Sequence, residues 1–253
     1  MHYIYSGCKF TKADSSGNDA LTLFGPDDRY ELSYCKIDFR ALDTDEQDEC
    51  ISLVRGAKVY MHDCTIMGGI KAVLAGNGDH PTEDQHGELT MKRVVIMGCG
   101  RRCPEAQDGV TVTMEECWIA DWGTPFDVRT FGAWAHQDGT ITARRCLFTR
   151  SSGGKWVLGF STTLKDWFAH IGQAVNDYGI GALFRAKTYW RGVTRGLTAD
   201  TGGKVQAIQC YKYPEWVVVE NADEFLSYEE AVEIYKNILR SQERFLPPLV
   251  IFP

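Results

Sequence analysis

Lys58-Val59-Tyr60-Met61-His62-Asp63-Cys64-Thr65-Ile66 is the stretch that decides the fold. Its first five residues alternate as a half-buried strand does. A small buried-type residue, Cys64, then precedes one variable residue and a large apolar one. The same phrase returns in Gly7-Cys8-Lys9-Phe10, Tyr34-Cys35-Lys36-Ile37, Arg93-Val94-Val95-Ile96, Glu116-Cys117-Trp118-Ile119 and Arg145-Cys146-Leu147-Phe148. Successive ladder positions lie 27, 29, 30, 23 and 29 residues apart. Self-similarity at this period marks a solenoid. No helical period precedes residue 150, so the expectation is an all-β chain: a right-handed, single-stranded parallel β-helix of about six short coils stacked at about 4.8 Å. Cys8, Cys35, Cys64, Cys117 and Cys146 then share one internal ladder, which Val94 interrupts.

Turn residues such as Gly25-Pro26-Asp27-Asp28 and Gly76-Asn77-Gly78-Asp79 separate the alternating segments. The chain has nine cysteines, an odd number. No Cys-x-x-Cys pair with a matching His cluster points to structural zinc. The ladder cysteines read as structural, whether as buried thiols acting as small hydrophobes or with some pairing between stacked coils, whose Cα atoms fall within disulfide range.

After Ser151 the pattern changes. Leu164, Trp167, Phe168, Ile171, Ala174, Val175 and Tyr178 recur at helical spacing, predicting a helix near 163–178. Val205–Ile208 and Trp216–Val219 read as strands. Ser227 and Glu230 form a capping box that opens a helix running to about Arg240. The chain therefore reads as a single β-helix domain over 1–253, with coils in 1–150 and strands, loops and capping helices in 151–253.

The 253 residues, 44% hydrophobic and 24% charged, suit a globular core. A net charge of −7 argues against nucleic acid as a partner. No apolar run reaches the roughly 18 residues of a membrane span, and the N-terminus has no signal-peptide pattern.

Gly69-Ile70-Lys71-Ala72-Val73-Leu74-Ala75-Gly76, then Arg102-Cys103-Pro104 and Gly109-Val110-Thr111-Val112, resemble the pectate lyase and pectin lyase superfamily. The resemblance covers roughly residues 1–150, with a weaker echo in the Glu229–Leu239 helix. It implies anti β-elimination on a uronic-acid polymer, pectate or polygalacturonate. In that reading Arg102 matches the base that takes the C5 proton, and Lys71 matches the residue that binds the neighbouring carboxylate. Gln107 stands where the family has a second substrate-binding Arg, and Arg129 follows the next coil as a further substrate contact.

Positive charge beside an enolate-like intermediate lowers the barrier. A guanidinium is a poor base below about pH 12, and the family meets this with Ca²⁺, which acidifies the proton removed. Asp19, and Asp48 or Glu49, match the family's calcium-binding acidic positions, while Ser52 stands where a further Asp is usual. The resemblance further implies an extracellular enzyme acting on a polyuronate polysaccharide as a monomer or weak oligomer, without nucleic-acid or membrane partners.

A non-catalytic carbohydrate-binding β-helix, such as a surface or viral appendage, is the alternative. A polygalacturonase-like hydrolase ranks last, because only Asp108 and Asp63 lie near the two cations in sequence. His80, His86 and His136 lack metal-ligand spacing and read as surface or loop histidines.

Overall fold

Each short strand carries apolar residues on one side only and cannot bury them alone; stacking identical strands in register does so. In the computed structural model this happens three times per turn. The structure describes residues 1–11, 20–26, 28–39, 49–68, 71–76, 86–99, 102–122, 131–150 and 195–242. Asp19, Asp48, Arg129 and the helix expected near 163–178 lie outside the described residues.

The first sheet stacks β1 (His2–Ser6), β4 (Arg29–Ser33), β7 (Lys58–His62), β10 (Glu88–Lys92), β13 (Thr111–Glu115), β16 (Thr140–Arg144) and β19 (Lys204–Ile208). The second stacks β2 (Lys9–Phe10), β5 (Lys36–Phe39), β8 (Thr65–Gly68), β11 (Val95–Met97), β14 (Trp118–Ala120), β17 (Leu147–Thr149) and β20 (Tyr211–Tyr213). The third stacks β3 (Leu21–Phe24), β6 (Glu49–Val54), β9 (Lys71–Ala75), β12 (Glu105–Ala106), β15 (Ala133–Ala135), β18 (Arg195–Ala199) and β21 (Val218–Val219). All pairings are parallel, and the chain is a right-handed parallel β-helix. It has seven coils rather than six, because β18 closes the sixth and β19 to β21 build a seventh beyond residue 150.

The corner between the first and second sheets repeats in every coil. Gly7, Tyr34, Asp63, Arg93, Glu116, Arg145 and Gln209 all hold a positive φ there, between 50° and 64°. The next residue points inward: Cys8, Cys35, Cys64, Val94, Cys117, Cys146 and Cys210. The cysteines act as more than small hydrophobes. Cys35, Cys64, Cys117 and Cys210 each direct S–H at a carbonyl of the preceding coil, on Tyr5, Leu32, Met91 and Ala143, at 3.4 to 3.5 Å. Each of these carbonyls belongs to the fourth residue of its strand, so one weak donor recurs at one place in the repeat. All nine cysteines are free thiols.

At the corner from the third sheet back to the first, successive backbones pack directly. A Cβ on Gly139 would stand 2.2 Å from the Ala106 carbonyl oxygen, so only glycine fits.

One helix, α1 (Tyr228–Gln242), follows the last coil. The Ser227 amide donates to Glu230 Oε2 at 2.9 Å and the Glu230 amide to Ser227 Oγ at 3.3 Å, completing the capping box. Ala231, Ile234, Tyr235 and Ile238 form its buried stripe, against Val95, Trp118, Ala120 and Leu147 on the outer face of the second sheet. At its far end Gln242 Nε2 donates to the carbonyls of Cys64 and Arg93 at 3.0 and 2.9 Å. Fifteen helical residues span about 22 Å, close to the four coil steps, about 19 Å, from Tyr211 to Thr65. The helix is a strap along the side of the solenoid.

Stacked corner residues also pair by charge. Arg93 Nε and Nη2 donate to the two Asp63 oxygens at 2.6 and 2.9 Å, and His62 Nδ1 stands 2.7 Å from Oδ2. Burial acts to raise the Asp63 pKa, but hydrogen bonds from Arg93 and His62 outweigh it, and the carboxyl sits below its ordinary value. A depressed carboxyl pKa stabilises the fold above the unfolded-state value and loses that contribution as pH falls through the folded one. Asp63→Asn should therefore cost about 3 kcal/mol at neutral pH. The gap between variant and wild type in urea midpoints should close as pH drops below about 4.

Candidate functional site

The third sheet begins each strand just after the corner where it leaves the second, and that corner gathers the charged residues. Glu49 opens β6 and Lys71 opens β9, and the two are direct partners in register. Arg102 sits one coil further on, three residues before Glu105 opens β12. Its carbonyl accepts from the Val73 amide at 2.8 Å, which fixes the segment over the Lys71 coil. Arg102 has a φ of 58°, but the same conformation recurs at another corner of every coil and does not by itself mark a site. His136 follows β15, its amide donating to the Ala106 carbonyl at 2.9 Å.

Lys71 and Arg102, 31 residues apart in sequence, meet on one atom. Lys71 Nζ donates to Glu49 Oε1 at 2.5 Å, and Arg102 Nη1 donates to the same oxygen at 2.8 Å. On its other side Arg102 Nε pairs as an ion with Glu105 Oε2. Glu105 Oε1 lies 2.6 Å from His136 Nε2. An ionised Glu105 has no hydrogen to give, so that nitrogen carries it and Nδ1 is the proton-accepting position of the neutral ring. Trp134 stacks on the imidazole at 4.1 Å and 11°. Four coils thus supply one chain of groups: Lys71, Glu49, Arg102, Glu105, His136.

This chain is largely out of water. Residue exposure is 4% for Lys71, 8% for Glu49, 1% for Glu105 and 8% for His136, while the Arg102 side chain is 14% exposed. Two fixed cations stand against two carboxylates, so the cluster is close to electrically balanced. Ions taken from water at this cost persist because each is paired.

Lys71 and Arg102, both named from the sequence, stand side by side on Glu49. Of the other expected residues, Gln107 and Asp63 fall outside this chain of groups, and Glu49 lies within it. Gln107 is 5% exposed and is a corner residue: its amide donates to the Ala75 carbonyl at 3.0 Å, and its carbonyl accepts from the Val110 amide at 3.1 Å. Among the described residues its side chain makes no hydrogen bond to Lys71, Arg102 or Glu49. Asp63 stands at the opposite corner, away from the cluster. Glu49, expected as a calcium ligand, turns one oxygen onto two cations, an environment in which that oxygen does not fit a cation ligand. Among the described residues no group of three or more His, Cys, Asp or Glu side chains is placed to hold a metal.

His136 lies in the loop after β15, as a loop histidine, but it is buried rather than on the surface. Together with Glu105 it was hidden from spacing arguments, although the two stand 31 residues apart, close to one coil. A carboxylate three residues after Arg102 and a histidine one coil later were the available signals. Trp118 lies beneath α1, stacking edge-on with Tyr235 at 5.2 Å. Trp122 is fully buried with the Arg150 guanidinium 5.2 Å over its ring.

Removing Glu49 leaves two cations facing each other in a buried site. Glu49→Ala should cost about 3–5 kcal/mol in urea unfolding. Lys71→Met should cost less, because Arg102 keeps the carboxylate and the methionine stem retains the packing.

The sequence matches no protein-family model and no curated protein.

Proposed function

We propose that the protein is a polysaccharide lyase that cleaves a uronic-acid polymer, polygalacturonate or a close relative, by β-elimination at the corner where Lys71 and Arg102 meet. The observation that carries this reading is the shared Glu49 oxygen. A carboxylate held at 2.5 Å from Lys71 and 2.8 Å from Arg102 occupies the position a substrate uronate would take. Glu49 is then an internal stand-in, displaced or shifted when the polymer's own carboxylate arrives.

Arg102 and Lys71 stabilise the charge that develops on that carboxylate as the C5 proton leaves. Two groups present themselves for the proton, Arg102 itself and His136. Arg102 stands between the Glu49 and Glu105 carboxylates, which hold its guanidinium in place. His136 has Glu105 on Nε2, which orients the ring and leaves Nδ1 facing away from that carboxylate. Glu49 Oε1, which already faces Lys71 and Arg102, does not fit a calcium ligand.

A second reading, a carbohydrate-binding β-helix without turnover, is favoured by one specific observation: the cations are nearly buried and balanced by Glu49 and Glu105. The two separate cleanly. Polygalacturonate incubated with the wild type should yield unsaturated products, followed by their ultraviolet absorbance. Arg102→Lys should lower turnover by about 10² or more with unchanged circular dichroism, since lysine cannot present the planar fork. Polymer retardation in affinity electrophoresis with no absorbing product from the wild type would establish binding without elimination.

A further inference from the structure

We propose that Cys8 and Cys35 form an oxidation site that takes a peroxide and closes a disulfide between the first and second coils. This inference is independent of the lyase reading. The two residues occupy the same ladder position in adjacent coils, with strand pairing on both sides of them: Ser6 with Ser33 before, and Lys9 with Lys36 after. The Lys36 amide donates to the Cys8 carbonyl at 2.8 Å, which holds the two corners in direct stack. In-register parallel neighbours place Cα atoms about 4.8 Å apart, inside the roughly 4.4–6.8 Å a disulfide needs. Each thiol turns to a carbonyl of the first sheet's β1 strand, Cys8 to Ser6 at 3.7 Å and Cys35 to Tyr5 at 3.4 Å.

Access selects this pair from the rest of the ladder. Cys8 is the only cysteine that is not buried; the other eight are. Cys8 therefore meets a small oxidant first, and Cys35, 1% exposed, lies directly behind it. Hydrogen bonding with Cys64 acts to lower the Cys35 pKa against the effect of burial. Cys117, Cys146 and Cys210 repeat the stacking but lie wholly inside.

The chemistry balances with peroxide as oxidant. Burial pushes the Cys8 thiol up, and its thiolate fraction attacks the peroxide oxygen; the O–O bond breaks, the released hydroxide takes the thiol's proton, and sulfenic acid and one water form. Cys35 then attacks the Cys8 sulfur, the S–O bond breaks, and the departing hydroxide takes the Cys35 proton to become the second water. Two thiols have been oxidised and one peroxide reduced.

The test uses the full chain in hydrogen peroxide, followed by alkylation, thiol titration after denaturation and peptide mapping without reductant. Two of the nine thiols should be lost, and one cross-linked pair of peptides should carry Cys8 and Cys35. Cys8→Ser, with a native circular dichroism spectrum, should lose neither the second thiol nor show a cross-link. Over-oxidation of Cys8 with no disulfide would overturn the proposal, as would a Cys146–Cys210 link forming first. Equal thiol loss in Cys8→Ser would do the same.

Discussion

The architecture depends on one repeated contact: a residue held in the left-handed region, then a side chain that turns inward and touches the coil before it. For residues other than glycine this conformation costs of order 1 kcal/mol, and six of the seven positions at this corner are not glycine. What offsets the cost is cumulative. The corner brings strands of the first sheet into register with their neighbours, and at four of the coils the thiol behind it adds a weak hydrogen bond to a carbonyl of the coil before. Val94 has no S–H to give, and it stands between the two runs of three cysteines. The molecule is built by stacking this corner seven times.

The same stacking explains what could be read in advance. The ladder was legible because alternation and a small inward residue recur at 23 to 30 residues, and each coil needs both. Cys210 fits the same position, yet 64 residues separate it from Cys146, and no periodic argument bridges that gap. The helix at residue 228 was legible from its cap, because Ser227 and Glu230 are adjacent in sequence and answer to local chemistry alone.

The site was legible by halves. Lys71 and Arg102 came from a motif, and the structure brings them together. Their shared partner did not follow from the ladder, because the third sheet runs on a different count. Cys35 and Cys64 are 29 residues apart, yet Glu49 and Lys71, which pair in the same two coils, are 22 apart. The corner between the second and third sheets has its own length in each coil: β5 ends at Phe39 and β6 begins at Glu49, whereas β8 ends at Gly68 and β9 begins at Lys71. Glu105 and His136 converge through the same register. Spacing at one corner therefore says little about neighbours at another.

The side strap changes how this solenoid holds together as a body. A stack in which each coil touches only its neighbours frays from its ends, one unit at a time. Here Gln242, near the end of the described chain, is bonded to Cys64 and Arg93, so the third and fourth coils are tied to the segment that follows the seventh. A break anywhere along that span must also strip α1 from Trp118 and Leu147. Coils three to seven are thereby joined into a single cooperative unit. The first two coils lie outside the strap and keep the independence of an ordinary repeat.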